Sequence, residues 1–235
     1  MESPATFYFQ QFSVRHAQSM KVGTDSVLLG AWAQVANVNR ALDVGTGSGL
    51  LALMLAQRSA QARIDAVEYN AAAAEEARYN FENSPWADRL AVIECDFLAW
   101  RTTTRYDLII SNPPYFEKSL LPPDAPRSHA RHTVALHAWQ ILAFAETHLT
   151  DGGRVYLVLP TREATALVAS ARALTITLTR RCAVRSRAHK PVERLLLEFS
   201  RAPYPCEETE LVLHTTDHGR SAAYQALTRA FYTKG

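Results

Sequence analysis

The feature that most constrains the fold is an alternation of short apolar segments with helical segments between residues 40 and 199. The segments predicted as strands are Arg40–Val44, Arg63–Val67, Leu90–Glu94, Tyr106–Ser111, Arg154–Leu159, Thr175–Val184 and Val192–Phe199. The segments predicted as helices are Leu50–Arg58, Ala71–Asn83, Leu136–Leu149 and Thr161–Ala173. Strands that alternate with helices in this way indicate an α/β fold, a doubly wound and mostly parallel sheet with helices on both faces.

The two ends of the chain are short compared with this alternating region. We expect one domain over residues 1–235, with residues 1–39 as an N-terminal cap, residues 40–200 as the core and residues 201–235 as a C-terminal extension. Within the extension, Glu208–His214 is a candidate late strand and Ser221–Tyr232 a candidate helix. A chain of 235 residues can bury a sizeable core without metals or disulfides.

Composition excludes several classes of protein. Apolar residues make up 48% and charged residues 20%, which is typical of a globular chain and not of a disordered or fibrous one. No apolar run approaches the roughly 20 residues of a membrane span, and the start lacks the pattern of a secretory signal, so we expect a cytoplasmic protein. Cys95, Cys182 and Cys206 are far apart and form no CxxC pair, so neither a disulfide framework nor a metal site is expected.

Charge is distributed unevenly along the chain. Residues 1–117 carry 9 basic and 13 acidic side chains, whereas residues 118–235 carry 16 basic and 10 acidic ones. The densest basic stretch, residues 180–190, has five formal positive charges and no acid. Such an asymmetry favours an anionic partner on one side of the molecule, although a merely solvated basic face remains an alternative.

A glycine-rich turn follows the first predicted strand. Asp43 is the penultimate residue of that strand, and Gly45, Gly47 and Gly49 alternate through the turn that opens the next helix. Glycines at such a position allow a tight turn and a close approach of a ligand to the backbone. The spacing is Gly-x-Gly-x-Gly and differs from the dinucleotide fingerprint Gly-x-Gly-x-x-Gly.

Two further acids follow the next predicted strands. Glu68 lies 23 residues beyond Gly45, where a carboxylate can accept hydrogen bonds from both ribose hydroxyls of an adenosine ligand. Asp96, followed by Phe97, comes after the third strand, where a carboxylate can contact the adenine amine. Because ligands in open α/β sheets bind at the carboxyl ends of strands, the glycine turn, Glu68 and Asp96 are expected to share one crevice.

The fourth predicted strand leads directly into Asn112, Pro113, Pro114 and Tyr115, which are the candidate catalytic residues. Two successive prolines restrict φ and forbid a helix, so the backbone leaves the strand in a rigid extended turn. The amide oxygen of Asn112 and the carbonyl oxygen of Pro113 can together accept two hydrogen bonds from one planar NH2 group. Tyr115 offers a flat face on which a planar acceptor can stack.

Taken together, these motifs resemble those of class I S-adenosylmethionine-dependent methyltransferases, and Asn-Pro-Pro-Tyr is similar to the motif of members that methylate an NH2 group. The resemblance implies a Rossmann-like sheet of seven strands whose last strand is antiparallel, and S-adenosyl-L-methionine as cofactor. The implied cofactor-binding residues are Lys21, Thr24, Asp43, Gly45, Gly47, Gly49, Glu68, Asp96, Phe97 and Asn112.

Three further blocks narrow the resemblance. Residues 20–32 (MKVGTDSVLLGAW), Ala130-Arg131-His132 and residues 223–232 (AYQALTRAFY) resemble the bacterial tRNA(Val) adenine-N6 methyltransferase family. The resemblance covers almost the whole chain and implies a tRNA substrate modified at the adenine directly 3′ of the anticodon. A monomer that needs no metal and no membrane is expected. Lys21 and Asp25 are candidate contacts to the donor or to the glycine turn, with an exposed lysine and a helix N-cap as alternatives.

The position of the basic stretch follows from connectivity. If Thr175–Val184 runs parallel to the central strands, residues 185–190 emerge at the same sheet edge as Asn112. The loop Phe116–His132 is expected to be mobile and to leave from that edge as well. The candidate RNA contacts are Arg15, Arg127, Arg131, Arg185, Arg187 and Lys190. Phe7, Phe9 and Phe12 precede Arg15 and are expected to be core residues, with base stacking as the alternative.

Other acceptor substrates also fit the Asn-Pro-Pro-Tyr motif of residues 112–115. An N6-adenine or N2-guanine methyltransferase acting on rRNA or DNA would use the same chemistry, and a protein glutamine-N5 methyltransferase also modifies a planar NH2 group. The glutamine enzymes carry a helical substrate domain before the core, whereas only about 39 residues precede the first predicted strand here. A non-catalytic donor-binding RNA chaperone is the alternative from a different class.

Overall fold

The computed structural model describes residues 5–16, 22–113, 127–201 and 205–232, without the side chains of residues 127–137. The strands are β1 (Ala5–Tyr8), β2 (Ser13–His16), β3 (Arg40–Val44), β4 (Arg63–Glu68), β5 (Leu90–Glu94), β6 (Tyr106–Ser111), β7 (Leu149–Pro160), β8 (Thr177–Arg185), β9 (Arg194–Ser200) and β10 (Glu207–Val212). The helices are α1 (Thr24–Trp32), α2 (Leu50–Arg58), α3 (Ala71–Glu82), α4 (Arg127–His148), α5 (Thr161–Ala171) and α6 (Ala222–Thr228).

The central sheet has the order β10-β8-β9-β7-β6-β3-β4-β5. Strand β9 pairs antiparallel with both β7 and β8, and the other strand pairs of this sheet are parallel. The mixed α/β architecture and the antiparallel β9 are confirmed. The sheet has eight strands and not seven, because β10 pairs in parallel with β8 and extends the edge.

Two apolar clusters cover the two faces of this sheet. One cluster joins α1, α2 and α6 to the hairpin β1–β2, and it contains Phe9, Phe12, Met54 and Phe231. The other cluster joins α4 and α5 to the opposite face through residues such as Leu142. The expectation that Phe9 and Phe12 are core residues is therefore confirmed. No helix within the described ranges is both long and apolar enough to cross a bilayer.

Two elements differ from the sequence-based expectations. Helix α4 begins at Arg127, so residues 127–132 are helical and not part of a mobile loop. Strand β7 begins at Leu149, and its pairing with β6 jumps from Leu149 to Arg154, so the expected Asp-Gly-Gly turn is an irregularity within the strand.

Candidate active site

A cavity of about 720 Å³ lies at the carboxyl ends of β3, β4 and β6 and beside the segment that follows β5. Its lining includes Gly45, Gly47, Glu68, Asp96, Phe97, Asn112 and Pro113. The predicted convergence of the glycine turn, Glu68 and Asp96 on one crevice is therefore observed, and Asn112 lines the same cavity. The volume lies in the range of small-molecule sites.

The glycine turn has a backbone conformation that residues other than glycine adopt only with strain. Gly45, Gly47 and Gly49 all have positive φ values. A Cβ on Gly49 would lie 2.4 Å from the ring of Phe81, so glycine is needed there for packing as well as for φ. A Cβ on Gly45 would meet no atom within 4 Å, since Gly45 faces the open cavity. A ligand can therefore approach the backbone closely at Gly45.

The Glu68 carboxylate accepts hydrogen bonds from two backbone segments at the cavity. Its Oε2 accepts a hydrogen bond from the N–H of Gly47 at 2.8 Å, and its Oε1 accepts one from the N–H of Asn70 at 2.9 Å. Asn70 caps α3 by accepting from the N–H groups of Ala72 and Ala73. Glu68 therefore orders both the glycine turn and the start of α3.

Asp43 lies beneath the glycine turn and is fully buried. Its Oδ2 accepts hydrogen bonds from the Thr46 hydroxyl at 2.6 Å and from the N–H of Ala52 at 3.2 Å, whereas Oδ1 is a buried atom without a partner in the described structure. The pKa of Asp43 is raised to about 7, mainly by burial and to a smaller extent by the nearby negative charge of Glu68, while the two hydrogen bonds act in the opposite direction.

This raised pKa predicts a pH dependence of stability. The folded protein holds the Asp43 proton more tightly than the unfolded chain, so stability should fall as pH rises from roughly 4 to 7 and then level off. Asp43→Asn removes this titration. Between pH 5 and pH 8 the wild type should lose up to about 2–3 kcal/mol relative to Asp43→Asn in urea unfolding. An equal stability difference at both pH values would contradict the buried, protonated carboxyl.

Asp96 begins the turn that follows β5. Its Oδ1 accepts a hydrogen bond from the N–H of Leu98 at 2.9 Å, which fixes the carboxylate at the cavity wall. The ring of Phe97 packs against Phe144 of α4 with 5.0 Å between ring centroids. Both predicted residues therefore line the cavity on its β5 side.

The Asn112 amide lies where β6 ends. Its Nδ2 donates a hydrogen bond to the Ser26 hydroxyl at 2.8 Å, and its Oδ1 is buried without a hydrogen-bond partner in the described part of the chain. Just before it, the Ser111 hydroxyl donates to the carbonyl of Val44 at 2.7 Å, which ties the end of β6 to β3. A buried amide oxygen without a partner, at the wall of a cavity, can accept a hydrogen bond from a ligand.

Not every predicted site residue lines the cavity. Thr24, Asp43 and Gly49 lie outside its lining. Lys21, Pro114 and Tyr115 fall outside the described residues, and Arg127 and Arg131 lie on α4 among the residues whose side chains are not described. The Asp25 carboxylate accepts a hydrogen bond from Nε of Arg194 at 2.9 Å.

Among the predicted RNA contacts whose side chains are described, none lines the cavity. The guanidinium of Arg15 lies 4.7 Å from the ring centre of Tyr79. Strand β8 runs parallel to β6, as expected. Residues 186–193, which follow β8, therefore lie at the same sheet edge as the cavity. Arg185 pairs with Glu210 at 3.0 Å. Arg187 donates to Nδ1 of His218 at 2.6 Å, and Lys190 is exposed.

Sequence reasoning missed three residues at the site. Ser26 bonds Asn112, and Arg194 bonds Asp25. Asn80 of α3 exchanges hydrogen bonds with the backbone of Arg15 and also donates to the carbonyl of Ser48, so it joins the N-terminal hairpin to the glycine turn. Ser26 lies within the block of residues 20–32 that had been singled out, but no local pattern indicates the partners of Asn80 or Arg194.

Comparisons with known proteins agree with this geometry. A protein named tRNA1(Val) (adenine(37)-N6)-methyltransferase from Aeromonas hydrophila is 46% identical over 230 residues, which cover 97% of both chains. A protein of the same name from Tolumonas auensis is 45% identical, again over 97% of both chains. Among solved structures, a protein described as a predicted O-methyltransferase from Agrobacterium tumefaciens has a TM-score of 0.68 at 18% identity, covering 88% of this chain and 96% of that one. The sequence model of the protein family described as methyltransferase small domain matches residues 16–168 of this chain. The chain belongs to the methyltransferase small-domain family.

Proposed function

We propose that this protein transfers a methyl group from S-adenosylmethionine to the exocyclic N6 of an adenine in tRNA, at position 37 of tRNA1(Val). The observation that carries the proposal is the Oδ1 of Asn112, a buried acceptor without a partner in the described structure at the wall of the large cavity. The substrate follows the names of relatives that are 44–46% identical. We further propose that the enzyme acts in the cytoplasm as a monomer.

The cavity residues suit the proposed methyl donor. Gly45 leaves open space next to its backbone, as a ligand that packs on the turn requires. Glu68 would accept hydrogen bonds from the ribose hydroxyls, and Asp96 would accept one from the adenine amine. When bound, S-adenosylmethionine supplies an electrophilic methyl group on a sulfonium sulfur.

Asn112 and Pro113 would bind and orient the acceptor amine. The N6 amine of adenine is a poor nucleophile because its lone pair is delocalised into the ring. Hydrogen bonds from N6–H to Asn112 Oδ1 and to the Pro113 carbonyl would favour a tetrahedral nitrogen with an available lone pair. The new N–C bond would form as the methyl–sulfur bond of the donor breaks and leaves a neutral thioether. The methylated amine would then lose its proton to solvent, so no general base is required. Alignment of the reactants can supply about 7–11 kcal/mol of the barrier reduction.

An RNA substrate must also be held and its target base extruded. Extrusion of a stacked base costs a few kcal/mol, and contacts to phosphates position the strand around the pocket. The basic segment that follows β8 supports this part of the proposal, since it opens at the same sheet edge as the cavity. Three strand spacings separate β8 from β6, so this segment lies about 14 Å from the end of β6, within the reach of a bound hairpin loop.

Neutralising this segment should weaken RNA binding in a salt-dependent way. For the double variant Arg187→Gln/Lys190→Gln, the slope of log K against log salt should fall by roughly 1 to 2. Filter binding of tRNA between low and moderate salt measures this slope. A matched control, Arg63→Gln/Arg105→Gln, removes two exposed charges at the opposite sheet edge and should leave the slope unchanged. Equal effects of the two double variants would contradict the proposed RNA surface.

A panel of acceptors tests the proposed function. The purified protein, with labelled S-adenosylmethionine, is offered unmodified total tRNA, rRNA, duplex DNA and a cell protein extract, and the products are analysed as nucleosides or amino acids. N6-methyladenosine formed in the tRNA is the expected product. Label in a protein glutamine, or in rRNA or DNA with none in tRNA, would overturn the assignment of the substrate.

A further inference from the structure

The Asn112 amide is held from one side by a residue distant in sequence. Nδ2 of Asn112 donates to the Ser26 hydroxyl at 2.8 Å across 86 residues, and both side chains line the cavity. The opposite end of the amide, Oδ1, is buried and has no partner within the described residues. The Nδ2 end of the amide is therefore hydrogen-bonded to Ser26, while the Oδ1 end remains available to a ligand.

The orientation of this amide decides what it can do. The terminal torsion of an asparagine side chain has a broad, roughly two-fold energy profile, so an unanchored amide samples many orientations. An acceptor that presents N–H groups needs the carbonyl oxygen toward it, and the amide NH2 in the same place would repel it. A single hydrogen bond donated by Nδ2 restricts this rotation before the acceptor arrives.

We propose that Ser26 is a positioning residue for methyl transfer, which holds Asn112 by Nδ2 so that Oδ1 stays directed to the acceptor amine. Ser26 itself touches neither reacting atom and acts through Asn112. This inference rests on the proposed function, in which Oδ1 accepts a hydrogen bond from the amine that becomes methylated.

The helix start that carries Ser26 is itself anchored. Asp25, the preceding residue, accepts a hydrogen bond from Nε of Arg194 at 2.9 Å, and the two side chains are 24% and 34% exposed. Arg194 begins β9, directly after the segment of residues 186–193. On its other side α1 packs against α2, where Gly30 lies against Met54. The Asp25–Arg194 ion pair therefore fixes the first turn of α1 to the sheet edge at which the basic segment emerges.

The test is a double-mutant cycle with a conservative rescue. In single-turnover methylation with saturating donor and tRNA, Ser26→Ala should lower the rate by about tenfold, while Ser26→Thr, which keeps the hydroxyl, should stay within about threefold of the wild type. Donor affinity from calorimetry should change by less than about twofold, because Ser26 acts on the acceptor side. In an Asn112→Ala background, Ser26→Ala should have no further effect.

A second variant tests the role of the ion pair between Asp25 and Arg194. Arg194→Gln should lower the rate by about threefold in the wild type and not at all in the Ser26→Ala background. Arg40→Gln is the control, because it breaks an ion pair with Asp65 at the amino ends of β3 and β4, away from the cavity. Arg40→Gln should leave the rate unchanged.

The outcomes separate this inference from the proposed function. If Ser26→Ala keeps the wild-type rate, or if its loss is equally large in the Asn112→Ala background, the positioning role is overturned. If instead the wild type forms no N6-methyladenosine in tRNA, the proposed function fails first. A wild type that methylates tRNA, together with a fully active Ser26→Ala variant, overturns the inference alone.

Discussion

Asn112→Ala should lower the turnover for tRNA by at least about a hundredfold, the usual effect of removing one hydrogen-bonding group that acts on the reacting atoms. The reason is the loss of the buried Oδ1, which has no other partner in the described structure and is proposed to bond the reacting amine. The donor should still bind within about twofold of the wild-type affinity, because the glycine turn and Glu68 are untouched. Turnover at saturating donor and calorimetry with S-adenosylmethionine measure the two quantities.

Asn70→Ala is the matched control for this variant. Asn70 is also an asparagine at the cavity wall, but its side chain caps α3. Its loss should cost about 1 kcal/mol of stability without a collapse in turnover. Donor affinity that falls as steeply as turnover in Asn112→Ala would contradict an acceptor-side role for Asn112.

Glu68→Ala should raise the dissociation constant of S-adenosylmethionine by about a hundredfold, because hydrogen bonds to a charged carboxylate contribute about 1.5–3 kcal/mol each. Two bonds that order the glycine turn and the start of α3 disappear, and so do the proposed bonds to the ribose. At saturating donor the turnover should fall far less than the affinity. Calorimetric titration of the donor, together with turnover at several donor concentrations, separates the two effects.

Glu94→Ala is the control for Glu68→Ala. Glu94 is the residue of β5 directly opposite Glu68, and its carboxylate pairs with Arg78 at 2.8 Å, not with the glycine turn. Its removal should leave donor affinity within about twofold, as for other exposed ion pairs. If both variants weakened donor binding equally, the effect would come from the loss of negative charge at this edge and not from the bonds that Glu68 makes.

Strands β3, β4, β5 and β6 could be predicted from the sequence to within one residue. The bounds of β3, β5 and β6 agree with the prediction, and β4 is one residue longer. These strands are short and largely apolar, and a parallel sheet covered on both faces selects such runs. Because parallel strands end at a shared carboxyl edge, the place of the cavity could also be predicted from the sequence.

Elements that depend on distant partners could not be predicted. The hairpin of β1 and β2 consists of two strands of four residues each, too short for a clear periodicity, and it is held by packing of its aromatic residues and by Asn80. A strand was expected at Glu208–His214, and β10 lies there, but its parallel pairing with β8, which extends the sheet to eight strands, could not be predicted. Tertiary contacts decide such segments, because local propensity is weak.

The same distinction holds within the site. Gly45, Glu68, Asp96 and Asn112 each lie next to a strand end, which makes them recognisable in the sequence. The partners that orient them come from elsewhere: the bond of Asp25 to Arg194 spans 169 residues. Motifs therefore identify the groups that would meet the ligands, and the fold determines which side chains hold them in place.

The most direct test of the central claim uses two transcripts of tRNA1(Val) that differ only in the nucleotide at position 37, adenine in one and guanine in the other. Each is incubated with the protein and S-adenosylmethionine, and the methylated nucleosides are mapped by mass spectrometry of nuclease fragments. We expect N6-methyladenosine at position 37 of the first transcript and no methylation of the second. Equal methylation of both transcripts, or none of either under conditions in which the donor binds, would contradict this expectation.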